Sequence, residues 1–316
     1  MDLNRRDFGK LALASLAVPE AALFGAKPNS NIGGVQIGTI TYSYRAEPDG
    51  AANKADTLLK MIVDSGISAV ELMPPAAETF AGAPLPAGGG RGRGPMTPEQ
   101  EAAAAKLKEW RLSAPMAKFR EFRKLYNDAG VQIYCHKLTP SANMSDAEFD
   151  YFFEVGKALG AKQLSVELPA QASPLSQRLG DTALKHGMVV AYHAHEQANE
   201  SAWDAVLAQS KGNAVNLDCG HYYAGTGKSP VPAMIKYAER IGSLHLKDRT
   251  PTTPGAHGAN LPWGQGSTPI QDILQTMKKN KYRFPASIEL EYEVPAGSNS
   301  VLEVKKCLDY CRKVLA

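Results

Sequence analysis

Short apolar runs alternate with amphipathic stretches along the chain from about position 32 onward. In the amphipathic stretches, apolar residues recur at helical spacing. The stretch 54–65, for example, places Leu58 and Ile62 on one face, and it is followed by Gly66, a residue that commonly ends a helix. The apolar runs have the length and composition of buried strands. The pattern predicts eight strand–helix pairs, with strands near 35–38, 68–72, 131–134, 163–166, 188–192, 214–217, 241–244 and 286–288.

Alternating strands and helices form parallel sheets, and eight such pairs are typical of a closed (β/α)8 barrel, the TIM barrel. A barrel of this kind takes about 250 residues, which fits a single α/β domain over 31–316 of this 316-residue chain. The stretch 74–115 breaks the pattern, because a Gly-, Pro- and Arg-rich run comes before a helix predicted at 98–111. We interpret 74–115 as an insertion after the second strand, in the position of a lid over the barrel mouth.

The first 30 residues have the features of an export leader. Arg5 and Arg6 precede an apolar run at 11–18 that is too short to span a membrane. The arginine pair with Phe8 and Lys10 resembles a twin-arginine export signal, although Gly9 stands where a bulky apolar residue is usual. The resemblance implies a protein exported to the periplasm, with no stable membrane span.

The composition argues against one class of partner. The chain is 44% hydrophobic and 21% charged, with a formal net charge of +3, and these are ordinary values for a globular protein. No Lys/Arg run is dense enough to indicate a nucleic-acid surface. Nucleic acid is therefore not expected as a partner, and the sequence leaves open whether the chain forms a homo-oligomer.

Four predicted strands are followed by strong metal ligands. Glu167 follows the fourth strand, Asp218 the sixth, His245 the seventh and Glu289 the eighth. The carboxyl ends of barrel strands surround one mouth, so these side chains can converge. Three carboxylates and one imidazole suit Mn²⁺, Mg²⁺, Co²⁺, Fe²⁺ or Zn²⁺, and a cation offsets the repulsion among the carboxylates. The sequence therefore predicts one divalent metal ion at the mouth.

Each of these residues also has an ordinary structural explanation. A carboxylate at a strand end is commonly solvated or ion-paired, and a lone histidine is commonly hydrogen-bonded to the backbone. Their shared position in the strand–loop pattern is what favours the metal site. Glu291 lies two residues beyond Glu289 and on the same face of an ideal strand, so it is the alternative ligand there.

Five segments resemble the sugar-phosphate isomerase/epimerase family of xylose-isomerase-like barrels: 166–167, 192–195, 217–221, 244–248 and 288–291. The Asp-x-x-His and His-Leu-Lys-Asp elements are the most specific of them. The resemblance implies that the four ligands above hold one metal ion and that Glu167 and Glu289 exchange the substrate proton. It also implies that His195 and His221 bind substrate oxygens.

Two further residues stay open between a binding role and a structural one. Glu71 ends the second predicted strand, where it can bind a substrate hydroxyl or form an ion pair. Lys247 can contact substrate, or it can pair with Asp248 to order the mouth.

The family resemblance implies a metal-dependent isomerase or epimerase acting on a sugar or keto-sugar. Such an enzyme removes the proton next to a carbonyl through a metal-stabilised enediolate. The alternative is a lyase or dehydratase acting on a keto-sugar, a keto-glycoside or an inosose, because it needs the same first step. Two other classes are an apurinic-endonuclease-like phosphodiesterase and a non-catalytic sugar-binding protein. The near-neutral charge argues against the first, and the glutamates Glu167 and Glu289 argue against the second.

Overall fold

Eight parallel strands form a closed barrel in the computed structural model, which describes residues 27–84 and 97–316. The first strand pairs with both the second and the eighth, so the sheet closes on itself. This confirms the prediction of a (β/α)8 barrel. The barrel strands are β1 Val35–Ile40, β2 Ala69–Leu72, β3 Gln132–Lys137, β4 Gln163–Glu167, β5 Val189–His193, β6 Asn213–Asp218, β7 Ile241–Leu246 and β8 Ala286–Ile288.

Helices follow the strands and surround the barrel. Their sequences supply the expected end signals: Ser145 and Glu148 form a capping box before one helix, and Gly160 ends it at φ 82°. Within the described ranges, no helix combines the length and the apolar character that a membrane span requires. The α-helices are α1 Ala55–Asp64, α2 Pro74–Phe80, α3 Pro98–Leu112, α4 Met116–Asp128, α5 Asp146–Leu159, α6 Pro174–Lys185, α7 Asp204–Gln209, α8 Cys219–Thr226, α9 Val231–Lys236, α10 Ile270–Asn280 and α11 Ser300–Leu315.

The main apolar core lies between the barrel and the helices. Outward-facing strand residues such as Val190 and Leu244 are fully buried against this layer, together with Leu58, Phe122 and Leu274 from the helices. Burying a side chain of this size stabilises the fold by about 1.5–3 kcal/mol. The core therefore holds the strands in the register that positions their ends.

Polar side chains fill the barrel interior, because successive residues of a strand point to opposite faces. Gln163 on β4 donates a hydrogen bond 2.9 Å long to Ser243 on β7, which is a contact across the barrel and not between neighbouring strands. Following each strand two residues at a time from these positions leads to Ser165 and Glu167 on β4. On the other strand it leads to His245 on β7 and to Lys247 directly after it. The interior positions therefore lead directly to the carboxyl-terminal mouth.

Helices α2 and α3 lie between β2 and β3, in the stretch predicted to be an insertion. Arg111 on α3 makes two hydrogen bonds, of 2.7 and 3.0 Å, to Glu78 on α2, and Glu78 also accepts one from Tyr151 on α5. These contacts attach the added helices to the barrel's outer layer. The Gly/Arg-rich part of the insertion at 88–95 and nearly all of the predicted leader at 1–30 lie outside the described residues.

Candidate metal centre

Four buried side chains meet at the carboxyl-terminal mouth of the barrel. Each offers one ligand atom, and these four atoms all lie within 4.8 Å of one another. His193 is the last residue of β5, Asp218 is the last of β6, His245 lies on β7, and Glu289 directly follows β8. Each of the four residues is at most 6% exposed. The arrangement matches the way in which barrel enzymes assemble a site from several strand ends.

Asp218 also begins the next helix. Its Oδ1 accepts a hydrogen bond of 2.7 Å from the backbone N–H of His221 and so caps α8. At Gly220, an added Cβ would lie 2.7 Å from the backbone oxygen of Lys247, so this turn requires glycine. The Asp-Cys-Gly-His sequence therefore fixes one carboxylate oxygen in the cap and leaves Oδ2 directed at the other ligands.

His245 lies between two carboxylates. Its Nδ1 is 2.9 Å from Oε2 of Glu289, and its Nε2 is 2.8 Å from Oε2 of Glu71. Burial alone would lower the pKa of His245, but the charges of Glu71 and Glu289 outweigh burial and raise it to about 10. Asp218 Oδ2 is 3.9 Å from Nδ1, on the same side of the ring as Glu289. Nδ1 is therefore the nitrogen that faces the other ligands.

Lys247 neutralises much of the negative charge at the mouth. Its ammonium lies 3.0 Å from Asp218 Oδ2, and it lies 2.8 Å from Oε2 of Glu289 and 2.8 Å from Oε2 of Glu291. Burial would raise the pKa of the Glu289 carboxyl, but Lys247 and His245 hold it well below its usual value. The same carboxylates raise the pKa of Lys247 against the opposing effect of burial. The expected pair with Asp248 is not among these contacts, because Asp248 accepts hydrogen bonds from the backbone N–H groups of Gly264, Gly266 and Thr268.

The side chains fit a divalent metal ion. Asp218 Oδ2 is buried and accepts no hydrogen bond, although the Lys247 ammonium is near. The Lys247 charge offsets part of the cost of burying this oxygen, and a metal ion would supply the direct partner that the oxygen lacks. Two imidazoles and two carboxylates form a mixed nitrogen–oxygen set, which favours Zn²⁺, Fe²⁺, Co²⁺ or Mn²⁺ over Mg²⁺. His193, Asp218, His245 and Glu289 would hold such an ion.

Glu167, expected to be the fourth ligand, lies outside this group. Its side chain is 52% exposed, and its Oε1 lies 2.5 Å from the ammonium of Lys137. Its other oxygen is 3.7 Å from Nδ1 of His195, which is equally exposed. The structure therefore places Glu167 and His195 together at the open rim, and His193 occupies the fourth position of the buried group.

Glu71, expected to bind substrate or to form an ion pair, lies beneath the ligands. It is fully buried, and its two oxygens accept hydrogen bonds from Ser165, Asn216 and His245. Its charge and these hydrogen bonds hold His245 in place from inside the barrel. The contact with His245 is the ion pair that the sequence analysis offered as one alternative. Because Glu71 is fully buried, it has no exposed surface that could contact a substrate.

His221 belongs to a second histidine group. One nitrogen from each of His193, His195 and His221 lies within 4.8 Å of the other two. Burial, followed by the charge of Lys247, lowers the pKa of His221 to about 3. The sequence had singled out His195 and His221 for substrate binding, and both lie at the mouth beside the buried group.

Sequence reasoning missed His193 and Arg249. The signal for His193 was present, because it lies two residues before His195 and a strand turns alternate residues to the same face. Arg249 lies in the stretch 249–268, whose first part had no strand predicted. Asp248 and Arg249 instead form a short strand that pairs antiparallel with Leu261 and Asn260. No pattern in the sequence indicated that pairing.

Residues 59–313 match the Xylose isomerase-like TIM barrel family, and this chain belongs to that family. A sugar phosphate isomerase/epimerase from Parabacteroides distasonis has a similar structure, with a TM-score of 0.60 at 17% identity over 96% of this chain and 99% of that chain. The structure of the IolI protein with a bound zinc atom is also similar, with a TM-score of 0.61 at 13% identity over 89% of this chain and 99% of that chain. At these identities the similarity shows a shared fold.

One curated relative is similar in sequence. An inosose dehydratase from Clostridium botulinum (strain Alaska E43 / Type E3) is 28% identical over 155 residues, which cover 43% of this chain and 51% of that protein. This chain therefore spans about half the length of the curated relative that it matches.

Proposed function

We propose that this protein is a metal-dependent isomerase or epimerase acting on a sugar or keto-sugar. The observation that supports the proposal most strongly is the buried group of His193, Asp218, His245 and Glu289 at the end of the barrel where this fold performs catalysis. Asp218 Oδ2, buried without a hydrogen bond, supports a metal ion as the natural occupant of that group.

The reaction would begin with removal of a proton from a carbon next to a carbonyl. A divalent ion, when bound, supplies Lewis acidity that stabilises negative charge on the sugar oxygens. Glu167 is half-exposed at the rim and outside the ligand group, so a bound metal ion would not occupy its carboxylate, which can take the proton. Lys137 holds that carboxylate in place. Glu289 is buried after β8, which lies across the barrel from β4, and it is the candidate for returning a proton from the opposite face in an epimerisation.

The second candidate is a dehydratase acting on a keto-sugar, keto-glycoside or inosose. The sequence match to an inosose dehydratase favours it. The first proton transfer would be the same. The carbanion electrons would then form a double bond as the neighbouring carbon–oxygen bond breaks, and the hydroxyl group would leave as water after protonation.

Incubation in heavy water separates the two candidates. The protein, loaded with Mn²⁺ or Zn²⁺, would be mixed with ketohexoses and inososes and followed by NMR and mass spectrometry. An isomerase or epimerase gives an isomeric product with solvent deuterium at the carbon next to the carbonyl. A dehydratase gives an unsaturated product that has lost water. Neither deuterium nor product from any of these substrates would contradict both candidates.

A matched pair of variants tests the role of Glu167. Glu121 is also a half-exposed glutamate in an ion pair, 2.7 Å from the Lys118 ammonium, but it lies on α4 away from the mouth. Glu167→Gln should lose turnover by roughly 100-fold or more, the usual contribution of a general base. Glu121→Gln should retain it. Equal turnover by the two variants would remove Glu167 from the mechanism.

Export by a twin-arginine signal is part of the proposal. The arginine pair and the apolar run in the first 30 residues support it. Fractionation of expressing cells tests it: the protein should be periplasmic, and an Arg5→Lys, Arg6→Lys variant should stay in the cytoplasm. Periplasmic recovery of that variant would exclude this signal.

A further inference from the structure

Arg249 lies buried beside the candidate metal centre and makes three contacts with its guanidinium. Nη1 is 2.6 Å from Nδ1 of His221, and Nη2 donates to Oε1 of Glu196 at 2.7 Å and to the backbone oxygen of Gly258. Only 3% of Arg249 is exposed. These contacts connect the loop at 250–259 to a histidine at the mouth, so Arg249 is held in one orientation.

The contact with His221 has a definite direction. A guanidinium has five N–H donors and no acceptor, so Nδ1 of His221 must accept this hydrogen bond with its lone pair. A neutral imidazole has one protonated and one unprotonated nitrogen. Since Nδ1 is unprotonated, the proton lies on Nε2.

The Nε2 atom of His221 is buried and has no hydrogen-bond partner among the described residues. The nearest carboxylate oxygen, Oε2 of Glu291, lies 3.6 Å away. The ring centroids of His195 and His193 are 4.7 and 5.9 Å distant, so Nε2 belongs to the same cluster of rings at the mouth. A buried N–H without an acceptor is destabilising, and an oxygen of a bound molecule would satisfy it.

We propose that Arg249 is a positioning residue that holds His221 as the neutral Nε2–H tautomer, so that His221 donates a hydrogen bond to a hydroxyl or carbonyl oxygen of the substrate. The inference rests on the proposed function for the nature of that substrate. It also assigns the metal ion to one of the two ligand groups. With Nδ1 bound to Arg249 and Nε2 protonated, His221 has no lone pair for an ion, so the ion belongs with Asp218, His245 and Glu289.

The direct test is the protonation pattern of the His221 ring in the wild-type protein. Nitrogen NMR of isotopically labelled histidines distinguishes the two neutral tautomers, and comparison with His221→Gln assigns the signals. We expect a protonated Nε2 and an unprotonated Nδ1, both before and after addition of zinc. A protonated Nδ1, or an Nε2 bound to zinc, would overturn the inference.

Variants of Arg249 test the cause of the tautomer. Arg249→Met should give a mixture of tautomers and lower kcat/KM at least tenfold, with kcat affected more than KM if the hydrogen bond strengthens in the transition state. Arg249→Lys retains a donor and should recover the Nε2–H tautomer and part of the activity. An Arg249→Met protein that keeps the pure Nε2–H tautomer would show that Arg249 does not fix it.

Arg178→Met is the matched control, because Arg178 forms an ion pair with Asp146 on the outer surface. It should leave the His221 tautomer and the turnover unchanged. The NMR readout does not depend on turnover. A protein inactive on every sugar would therefore reject the proposed function, whereas the tautomer result would separately support or reject the role of Arg249.

Discussion

Glu71 Oε2 lies 2.8 Å from His245 Nε2, on the side of the imidazole opposite to the other candidate ligands. A carboxylate that accepts a hydrogen bond from the N–H of a ligating histidine fixes the tautomer and the orientation of the imidazole ring. It also makes the other ring nitrogen a better metal ligand. Burial would raise the pKa of the Glu71 carboxyl, but the His245 charge and hydrogen bond lower it. Glu71 is therefore held as the carboxylate that this arrangement requires.

Glu71→Gln should weaken metal binding by roughly 10- to 100-fold, because the amide is a poorer acceptor and can turn its NH₂ group toward His245. Calorimetric titration with Zn²⁺ or Mn²⁺ would measure the change. Glu101→Gln, at an exposed position on α3, is the control and should bind the ion as the wild type does. Equal affinities for both variants would show that Glu71 does not support the site.

His136 makes the stability dependent on pH. It is buried on β3, where its Nδ1 lies 3.2 Å from the backbone oxygen of Leu72, and burial lowers its pKa to about 4. In the unfolded chain the pKa is about 6.5, so the unfolded state takes up a proton first as pH falls. This group's contribution is therefore present above pH 6.5 and is lost as pH falls toward 4. The loss is about 2 kcal/mol at pH 5.

Denaturant unfolding at pH 7 and pH 5 measures that loss. The His136→Gln protein should lose less stability between the two pH values than the wild type does. Gln132→Ala changes an exposed residue on the same strand that does not titrate, so it is the control and its pH dependence should match the wild type. If His136→Gln and the wild type lost the same stability, His136 would not be the neutral group that the structure indicates.

The way α3 is attached to the outer helix layer predicts that substitutions of two of its basic residues change the stability of the protein by different amounts. Arg111 pairs with Glu78, and the two side chains are only 19% and 4% exposed. Lys108 pairs with Glu148, but the Lys108 side chain is 53% exposed. Arg111→Met leaves a buried carboxylate without its main partner and should destabilise the protein by about 3 kcal/mol. Lys108→Met should cost less than about 1 kcal/mol. Thermal and denaturant unfolding would compare them, and equal effects would contradict the packing of α3 described here.

The sequence was sufficient for the barrel because each of the eight strands and most of the helices have their own local signal. Apolar runs bounded by Gly66, Gly130 and Gly160 separate the elements without help from distant residues. Two helices gave no such signal. Helix α8 starts at Cys219 directly after a strand and depends on Asp218 as its cap, so no separate helix was predicted there. Helix α2 begins with two prolines, which were interpreted as part of a flexible insertion.

The candidate site was predictable in position but not in composition. Strand ends indicated Asp218, His245 and Glu289, and the structure brings these three together. The choice between Glu167 and His193 depends on side-chain direction and on a competing partner. The Lys137 ammonium, 2.5 Å from Glu167, holds that carboxylate at the rim, and a contact between two strands has no signature in either strand alone.

Metal analysis of four proteins tests the central claim most directly: the wild type, Asp218→Asn, His193→Gln and Glu167→Gln, each dialysed after loading with zinc. Asparagine keeps the Oδ1 cap of α8, so Asp218→Asn changes the ligand without removing the start of the helix. The geometry predicts about one ion per wild-type chain, most of it lost from Asp218→Asn and His193→Gln, and the ion retained in Glu167→Gln. Wild-type metal content in Asp218→Asn would contradict the centre itself. Loss from Glu167→Gln with retention in His193→Gln would contradict the set of ligands.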